Sequence, residues 1–381
     1  MKKGSPKHTI MELLLCLLFL ALSPSAMAQG VPATYTFGGN GQESLYGACV
    51  LKNGNAVIAG VSSMDGSGNR LPDRESRAWA VCVDSGGKVL WERHDGLDGI
   101  SLYTSPVPLE NGNVLLVLHN YMKGGLDTEE WRIVELLQDG TQVKSTKVGG
   151  RASNLTPLKE GYLLEEIVEE SRFISLLDQD GNELWRVPRS QMARVIRTAI
   201  STESGTILLG TKSKEENFAA VNLVDQTGAL KWAQTVVSGE GSWFSGGLVT
   251  GDGKLLLSGF DTRMIESWQT EDQIFTVCYD TDGSLLWQQN YGVIKRMDRI
   301  DDLIPVEGGY LAVGASHSNS RLKLLLLSGQ GELLDQWEVR VEDTLYRTPR
   351  FCLLDSGIWV CSTVERDGQS AVELTRIDLV R

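Results

Sequence analysis

The stretch YDTDGSLLWQQNYG, residues 279–292, decides how this sequence folds. It holds two acids, Asp280 and Asp282, then Gly283 and Trp287, which suits either the start of a calcium loop or a tight turn between strands. Three other segments share its frame: VDSGGKVLW ending at Trp91, LDQDGNELW at Trp185 and VDQTGALKW at Trp232. In all four, Asp stands three residues before Gly and Trp four after it. The second acid survives only as Asp180 among the siblings, with Gly86 and Thr227 in the other two. A calcium loop needs six to eight oxygens and usually a distant bidentate acid. Here the chain runs straight into an apolar strand. The recurring Asp, Gly and Trp instead specify a hairpin, in which Asp accepts backbone N–H bonds, Gly supplies positive φ and Trp packs between units. No metal site is expected.

Weaker copies lie around Gly140 (LLQDGTQVK) and Gly331 (LSGQGELLD). A second motif alternates with the first, a Gly turn followed by an apolar run. Its seven copies carry Gly54, Gly112, Gly161, Gly205, Gly253, Gly308 and Gly357. Recurrence at about 50 residues marks a repeat architecture. Each unit reads as four short strands; GACVL, AVIAGV, RAWAVCV and KVLWERH form the first. The expected fold is all-β, a seven-bladed β-propeller of four-stranded blades. The last unit supplies three strands, and ATYTFGG, residues 33–39, is an orphan strand with the fourth-strand pattern. Pairing the two closes the ring and removes two open edges.

YTFGGNGQESLYGACVLKNGNAVIAG and LLWQQNYG…VEGGYLAVG resemble a repeat of secreted and surface bacterial proteins. In that repeat a Trp leads to an aromatic–Gly–Gly turn and a D-G-G-Y turn to a final Gly. The likeness spans the mature chain, although Gly–Gly and Trp are lost in several blades. More distantly the sequence resembles quinoprotein-like propellers. The resemblance implies the fold and an extracytoplasmic setting, and carries little activity with it.

Ahead of the repeats, Lys2, Lys3 and Lys7 precede the apolar run LLLCLLFLAL, and Ala26 and Ala28 have the A-x-A spacing of a cleavage site. Residues 1–28 are expected to be a signal peptide, leaving 29–381 as one propeller domain of a secreted, extracytoplasmic protein without a transmembrane anchor. The formal charge is −13 and becomes more acidic once the three lysines leave with Glu12. Such a surface excludes nucleic acid as a partner.

Five cysteines follow the signal: Cys49, Cys82, Cys278, Cys352 and Cys361. They are too few for a disulfide-built scaffold. A two-residue turn at Ser356–Gly357 would set Cys352 opposite Cys361, with Cα atoms about 4.5 Å apart in a non-hydrogen-bonded pair. That spacing admits a cross-strand disulfide or two buried thiols. Cys82 and Cys278 occupy equivalent third-strand positions in distant blades and are not expected to pair.

Loop lengths separate the two faces of the ring. The turns between first and second, and third and fourth, strands are short. The others are long, as in residues 62–77, 119–131 and 259–273. Long polar loops on a rigid ring are where binding resides. Trp243 and Trp268 are the candidate aromatic contacts there. Arg151, Arg194, Arg197, Arg299, Arg347 and Arg350 align near the entrances of the first strands, where guanidinium groups can hold a carboxylate, sulfate or phosphate. Ion pairing with Asp298, Asp301 and Asp302 is the structural alternative.

Catalytic patterns are not evident. His94, His119 and His317 fall in different blades, and no G-x-S-x-G or H-E-x-x-H occurs. Glu129 with Glu130, and Glu169 with Glu170, read as solvated loop charge. The expected function is monomeric, non-catalytic binding or scaffolding of an extracellular glycan, peptide or protein, with no cofactor. The alternative is a lyase, hydrolase or quinoprotein-like dehydrogenase with its site at the channel mouth.

Overall fold

A computed structural model describes residues 33–378 except 39–41, 66, 73–74, 97–98, 123–128, 149–150, 159–160, 170, 193–194, 213–217, 237–240, 267–268, 295–297, 317–320, 341–346, 355–356 and 367–368. The expected signal peptide lies outside these residues. So do Arg194, Trp268 and His317.

The chain forms seven antiparallel sheets of four strands, one per repeat, and six of them use four consecutive strands. Blade 1 is Glu43–Val50, Ala56–Ser62, Arg77–Val83 and Val89–Asp95. The seventh sheet joins the N-terminal strand Ala33–Gly38 to the last strand Gln369–Asp378, with Ala33 opposite Arg376 and Gly38 opposite Ala371. The fold is therefore the expected seven-bladed propeller, closed by the orphan strand. Neighbouring inner strands pack around the ring, including the last against the first.

Burial follows from that packing. Second and third strands have blades on both faces, so Ala56–Ser62, Gly205–Thr211 and Ala219–Val224 are buried almost throughout. Their sequences are accordingly continuous apolar runs. Fourth strands lie at the rim and are exposed or half-buried over nearly their whole length. In six blades the third and fourth strands slip register by one residue, as between Cys278 and Tyr279. The extra residue is Leu90, Val143, Leu184, Lys231, Leu286 or Leu334 in turn. Such a bulge re-aims the next side chain. That side chain is the repeated Trp in four blades.

The opening hairpin is a structural turn. Asp280 N–H donates to the Ser284 carbonyl (2.9 Å) and Gly283 N–H to the Asp280 carbonyl (3.0 Å), with Gly283 at φ 85°. The sibling acids accept backbone N–H groups as the pattern implied. Asp84 Oδ1 takes those of Gly86 and Lys88, and Asp178 Oδ1 those of Asp180 and Asn182. In residues 279–292 themselves the work is shared, Asp280 Oδ1 accepting from Thr281 and Asp282 Oδ1 from Ser284.

Each Trp plugs the boundary to the next blade. A Cβ placed on Gly283 would lie 2.8 Å from the ring of Trp232 in the preceding blade. Gly140 meets Trp91, Gly228 meets Trp185 and Gly331 meets Trp287 in the same way. The indole N–H of Trp91 donates to the Gln138 carbonyl (2.8 Å) and that of Trp232 to the Thr281 carbonyl (3.2 Å).

Two expectations are corrected. The blade 7 hairpin pairs Leu354 with Gly357, so Cys352 faces Trp359 and Cys361 faces Arg350. Cys352 and Cys361 are diagonal neighbours, not an opposed pair, and both are buried free thiols. A hydrogen bond with the Cys352 thiol, and then burial, push Cys361 well above the usual thiol range. Residues 259–273 do not form a long loop. The strands run on through Leu255–Glu266 and return from Gln269–Tyr279 as an extended hairpin.

Candidate functional site: the long-loop face at the channel mouth

Strand direction places the starts of all inner strands and the long loops on one face. Each of the seven inner strands carries a bulge or register shift, close to that end in five blades, midway along the strand in blade 5 and nearer the far end in blade 2. The inserted residues include Tyr46, Ser153, Arg197, Ser245 and Asp301. A bulge in an inner strand turns an extra side chain out of the sheet, and bulges gather beside functional sites for that reason. Tyr46 shows the outcome: it is 45% exposed although its neighbours Leu45 and Gly47 are buried.

A hollow on this face has a volume of about 500 Å³ and lies where blades 7, 1 and 2 meet. Its walls include Tyr46, Ile100, Arg70, Glu75, Thr363 and Glu365. The loop after Ser62 forms one wall and is tied down along its length. Asp65 Oδ1 accepts the N–H groups of Ser67 and Asn69, and Leu71 N–H donates to the Ser63 carbonyl (2.8 Å). Those bonds hold the Asp65 carboxyl below its ordinary range, those from Asn69 most of all. Ser76 then laces blade 1 to blade 2 by donating to Gly99 and accepting from Ser101, both at 3.0 Å. On the other side, Leu45 N–H donates to Thr363 Oγ1 of blade 7 (2.9 Å). The hollow is thus preformed, and its walls combine polar groups with the exposed Tyr46 and Ile100.

The arginines expected at the strand entrances are placed there by the backbone. Arg151 and Arg347 begin the inner strands of blades 3 and 7, Arg299 is second in blade 6, and Arg197 is the inserted residue of blade 4. Arg350 follows Arg347 across the blade 7 bulge and is exposed. Trp243 is half-buried, its ring stacked on Phe260 with centroids 5.2 Å apart.

The acids near this face are engaged in structure. Glu92 accepts from Trp79 Nε1 (2.7 Å) and lies 3.2 Å from His94 Nε2. These contacts, that to His94 first, hold its carboxyl below the ordinary range. In blade 3, Glu165 contacts Arg189 and lies 3.8 Å from Arg172. Burial outweighs both cations and raises the Glu165 carboxyl. Glu129 is not solvated loop charge; it is a strand residue 3.8 Å from His119, whose ring stacks on Trp131. Glu130 pairs with Arg132 and Lys147.

Sequence reasoning found the entrances but not the bulges. Tyr46 gave no signal, because it falls in step with the alternating burial of Glu43–Val50.

The PQQ_2 family model, described as outer membrane protein assembly factor BamB, matches residues 76–274, more than half of the sequence. The chain belongs to this family. The match begins at the edge of the third strand of blade 1 and ends in the third strand of blade 5. Membership places this BamB-family chain among quinoprotein-like propellers at a distance. Three solved structures share its fold. A protein of unknown function from Dyadobacter fermentans DSM 18053 is 13% identical, with 93% of this chain and 100% of that chain covered and a TM-score of 0.53. The AfRom2 CNH domain is 10% identical, covering 92% and 100%, at 0.50. A puromycin hydrolase is 13% identical, covering 88% of this chain and 53% of that one, at 0.52. No curated protein matches. Among the described residues no helix is long and apolar enough to cross a membrane.

A quinone cofactor bearing several carboxylates would meet one guanidinium, Arg70, and two carboxylates, Glu75 and Glu365, among the described walls of the hollow. That donor set does not fit it.

Proposed function

We propose that this chain is an extracytoplasmic, monomeric scaffolding propeller that binds an extended ligand on its long-loop face. The observation that carries the reading is the preformed hollow of about 500 Å³ between blades 7, 1 and 2. Its rim charges, Arg70 and Glu365, are exposed, which suits reversible recognition of a polar chain. Of an extracellular glycan, a peptide and a protein, the family's description as an assembly factor for outer membrane proteins favours a polypeptide. The signal-like start of the sequence supports the location. Of the entrance arginines, Arg347 and Arg350 belong to blade 7, which borders the hollow, and the exposed Arg350 offers acidic groups on that ligand a partner there.

A thermal-shift and array screen of peptides and glycans against the protein beginning at Gln29 tests this. The expected result is a peptide hit whose affinity falls at least tenfold in Tyr46→Ala and Arg70→Ala. Hits indifferent to every substitution on this face would overturn it.

A further inference from the structure

The plugs that seal the blade boundaries are missing in two places: between blades 6 and 7, where Asp335 holds the plug position and blade 7 has no third-to-fourth turn to receive it, and between blades 2 and 3. Among the described boundaries, Trp91, Trp185, Trp232 and Trp287 cover the turn glycine of the next blade, and Tyr35 covers Gly87 at the closure. Between blades 2 and 3 the plug position is Lys144, four residues after Gly140. Its ammonium contacts the Asp180 carbonyl. The receiving turn is nevertheless kept: Gly181 has φ 85°, and the nearest atom to a Cβ placed there is Tyr162 Oη at 4.0 Å. A tryptophan-lined site has lost its tryptophan and kept its seat.

The space is real. A cavity of about 360 Å³ lies at this boundary, with Lys144, Gly181, Leu115, Ile133, Leu164 and Leu177 among its walls. That is within the range of roughly 300–1,000 Å³ typical of small-ligand pockets. The seat offers more than apolar surface. In the filled slots the indole N–H of Trp91 or Trp232 donates to the carbonyl two residues before the turn glycine. Its counterpart here, the Gln179 carbonyl, accepts Tyr162 Oη at 2.9 Å and keeps a second lone pair. A second departure borders the same cavity. Glu166 stands in the second strand of blade 3 where Gly210 and Gly314 stand in blades 4 and 6. It is buried, accepts from Ser175 Oγ (3.0 Å) and pairs with Arg186 (3.0 Å). Arg186 in turn lies over the Phe173 ring at 4.2 Å. One wall is therefore a rigid, neutralised polar surface that resists collapse into the gap.

We propose that the slot between blades 2 and 3 is a docking socket for one aromatic side chain, a tryptophan above all, presented by a partner polypeptide. The ring enters over Gly181 as Trp232 lies over Gly283, Lys144 swings aside, and the indole N–H donates to Gln179. The socket is separate from the channel-mouth hollow and does not depend on it.

Ligand-observed NMR and calorimetry with N-acetyl-tryptophan amide test the socket, since the capped amide imitates a residue within a chain. The native protein is expected to bind it, and N-acetyl-leucine amide at least fivefold more weakly. Lys144→Trp, which supplies the plug from within, is expected to abolish binding and to raise Tm. Lys144→Phe serves the same end if the indole variant fails to fold. Absence of binding to the native protein, binding that survives both substitutions, or a fall in Tm on plugging would overturn the proposal. Tighter binding of free tryptophan than of the capped amide would also overturn it, in favour of a small metabolite.

Discussion

Tyr35 of the N-terminal strand lies over Gly87 in the first turn of blade 1, where a Cβ would come within 2.3 Å of its ring. It does for the join between last and first blades what Trp91 does for the next boundary. The ring also packs near Trp359, centroids 5.8 Å apart. Because Tyr35 is half-buried, Tyr35→Ala is expected to cost about 2 kcal/mol, and Phe37→Ala, which empties a buried site, about 3 kcal/mol. Starting the chain after Gly38 would expose the edge of the Gln369–Asp378 strand, and aggregation should follow. Denaturant melts and light scattering check the series.

The plugs make a sharp prediction about glycine. Gly283 and Gly253 have nearly equal φ, 85° and 84°, but only Gly283 has a neighbour, Trp232, within 4 Å of a would-be Cβ. Gly253→Ala should pay only the left-handed strain of about 1–2 kcal/mol. Gly283→Ala must also displace the indole, and its loss should exceed that of Gly253→Ala by about 1 kcal/mol or more. Equal losses in denaturant melts would show that the Trp232 contact contributes nothing.

Thiol counting separates the two readings of blade 7. Cys49, Cys82, Cys278, Cys352 and Cys361 are buried and unpaired, and burial pushes Cys82 up to about 12 and Cys278 up to about 11. In the protein beginning at Gln29, native thiols should resist a disulfide reagent at pH 8. Denaturation without reductant should release all five. A count of three would restore the disulfide.

Most of the fold was legible because its signals are local. Asp, Gly and Trp at fixed spacing report a turn, a positive φ and a plug, and the count of such turns gives the blades. The N-terminal strand was legible for the same reason, since it carries the fourth-strand pattern without its first three partners. What failed was register. The Cys352–Cys361 pairing rested on a turn at Ser356–Gly357, and a shift of the turn by one residue moves Cys352 opposite Trp359. The inner-strand bulges were invisible because an inserted residue such as Tyr46 leaves the composition of its strand unchanged. The arginines were legible as positions at strand entrances, since alignment on the turn glycines fixes distance along a strand but not the direction of a side chain.

Blades 1 and 2 are also joined by a polar link. Tyr103 is fully buried, and its hydroxyl donates to Asp95 Oδ2 at 2.6 Å. Arg93 grips the same carboxylate with two bonds of 2.8 Å and donates to the Gly140 carbonyl at 2.7 Å. Burial raises the Tyr103 hydroxyl far above its usual range, so it remains a donor throughout accessible pH. Tyr103→Phe should cost about 1–2 kcal/mol, because Asp95 loses one donor but keeps the guanidinium. Asp95→Ala strips both partners and should cost more. Equal losses in the two variants would mean that the phenol alone carries the link.

Acid should weaken the hairpins before the core. Hydrogen bonds hold Asp178, Asp225 and Asp282 below the ordinary carboxylate range, from the Asn182 side chain first, the Thr227 hydroxyl first and the Ser284 N–H first respectively. Asp252 is lowered to about 2 by Lys254 and Thr250. A carboxyl with a depressed folded pKa contributes stability above its unfolded value of about 4 and loses it as pH falls through the folded value. Glu165 runs the other way: burial raises it, so protonation on acidification favours the folded form. Stability should therefore be level from neutrality down to about pH 4 and fall between about pH 4 and pH 2. Asn at 178, 225 and 282 keeps an acceptor for the turn N–H groups but cannot titrate. The triple Asn variant should be less stable than the native protein at pH 7 and lose less of its stability between pH 7 and pH 3. Denaturant melts at the two pH values measure this, and an acid loss identical in both proteins would place its source outside the turns.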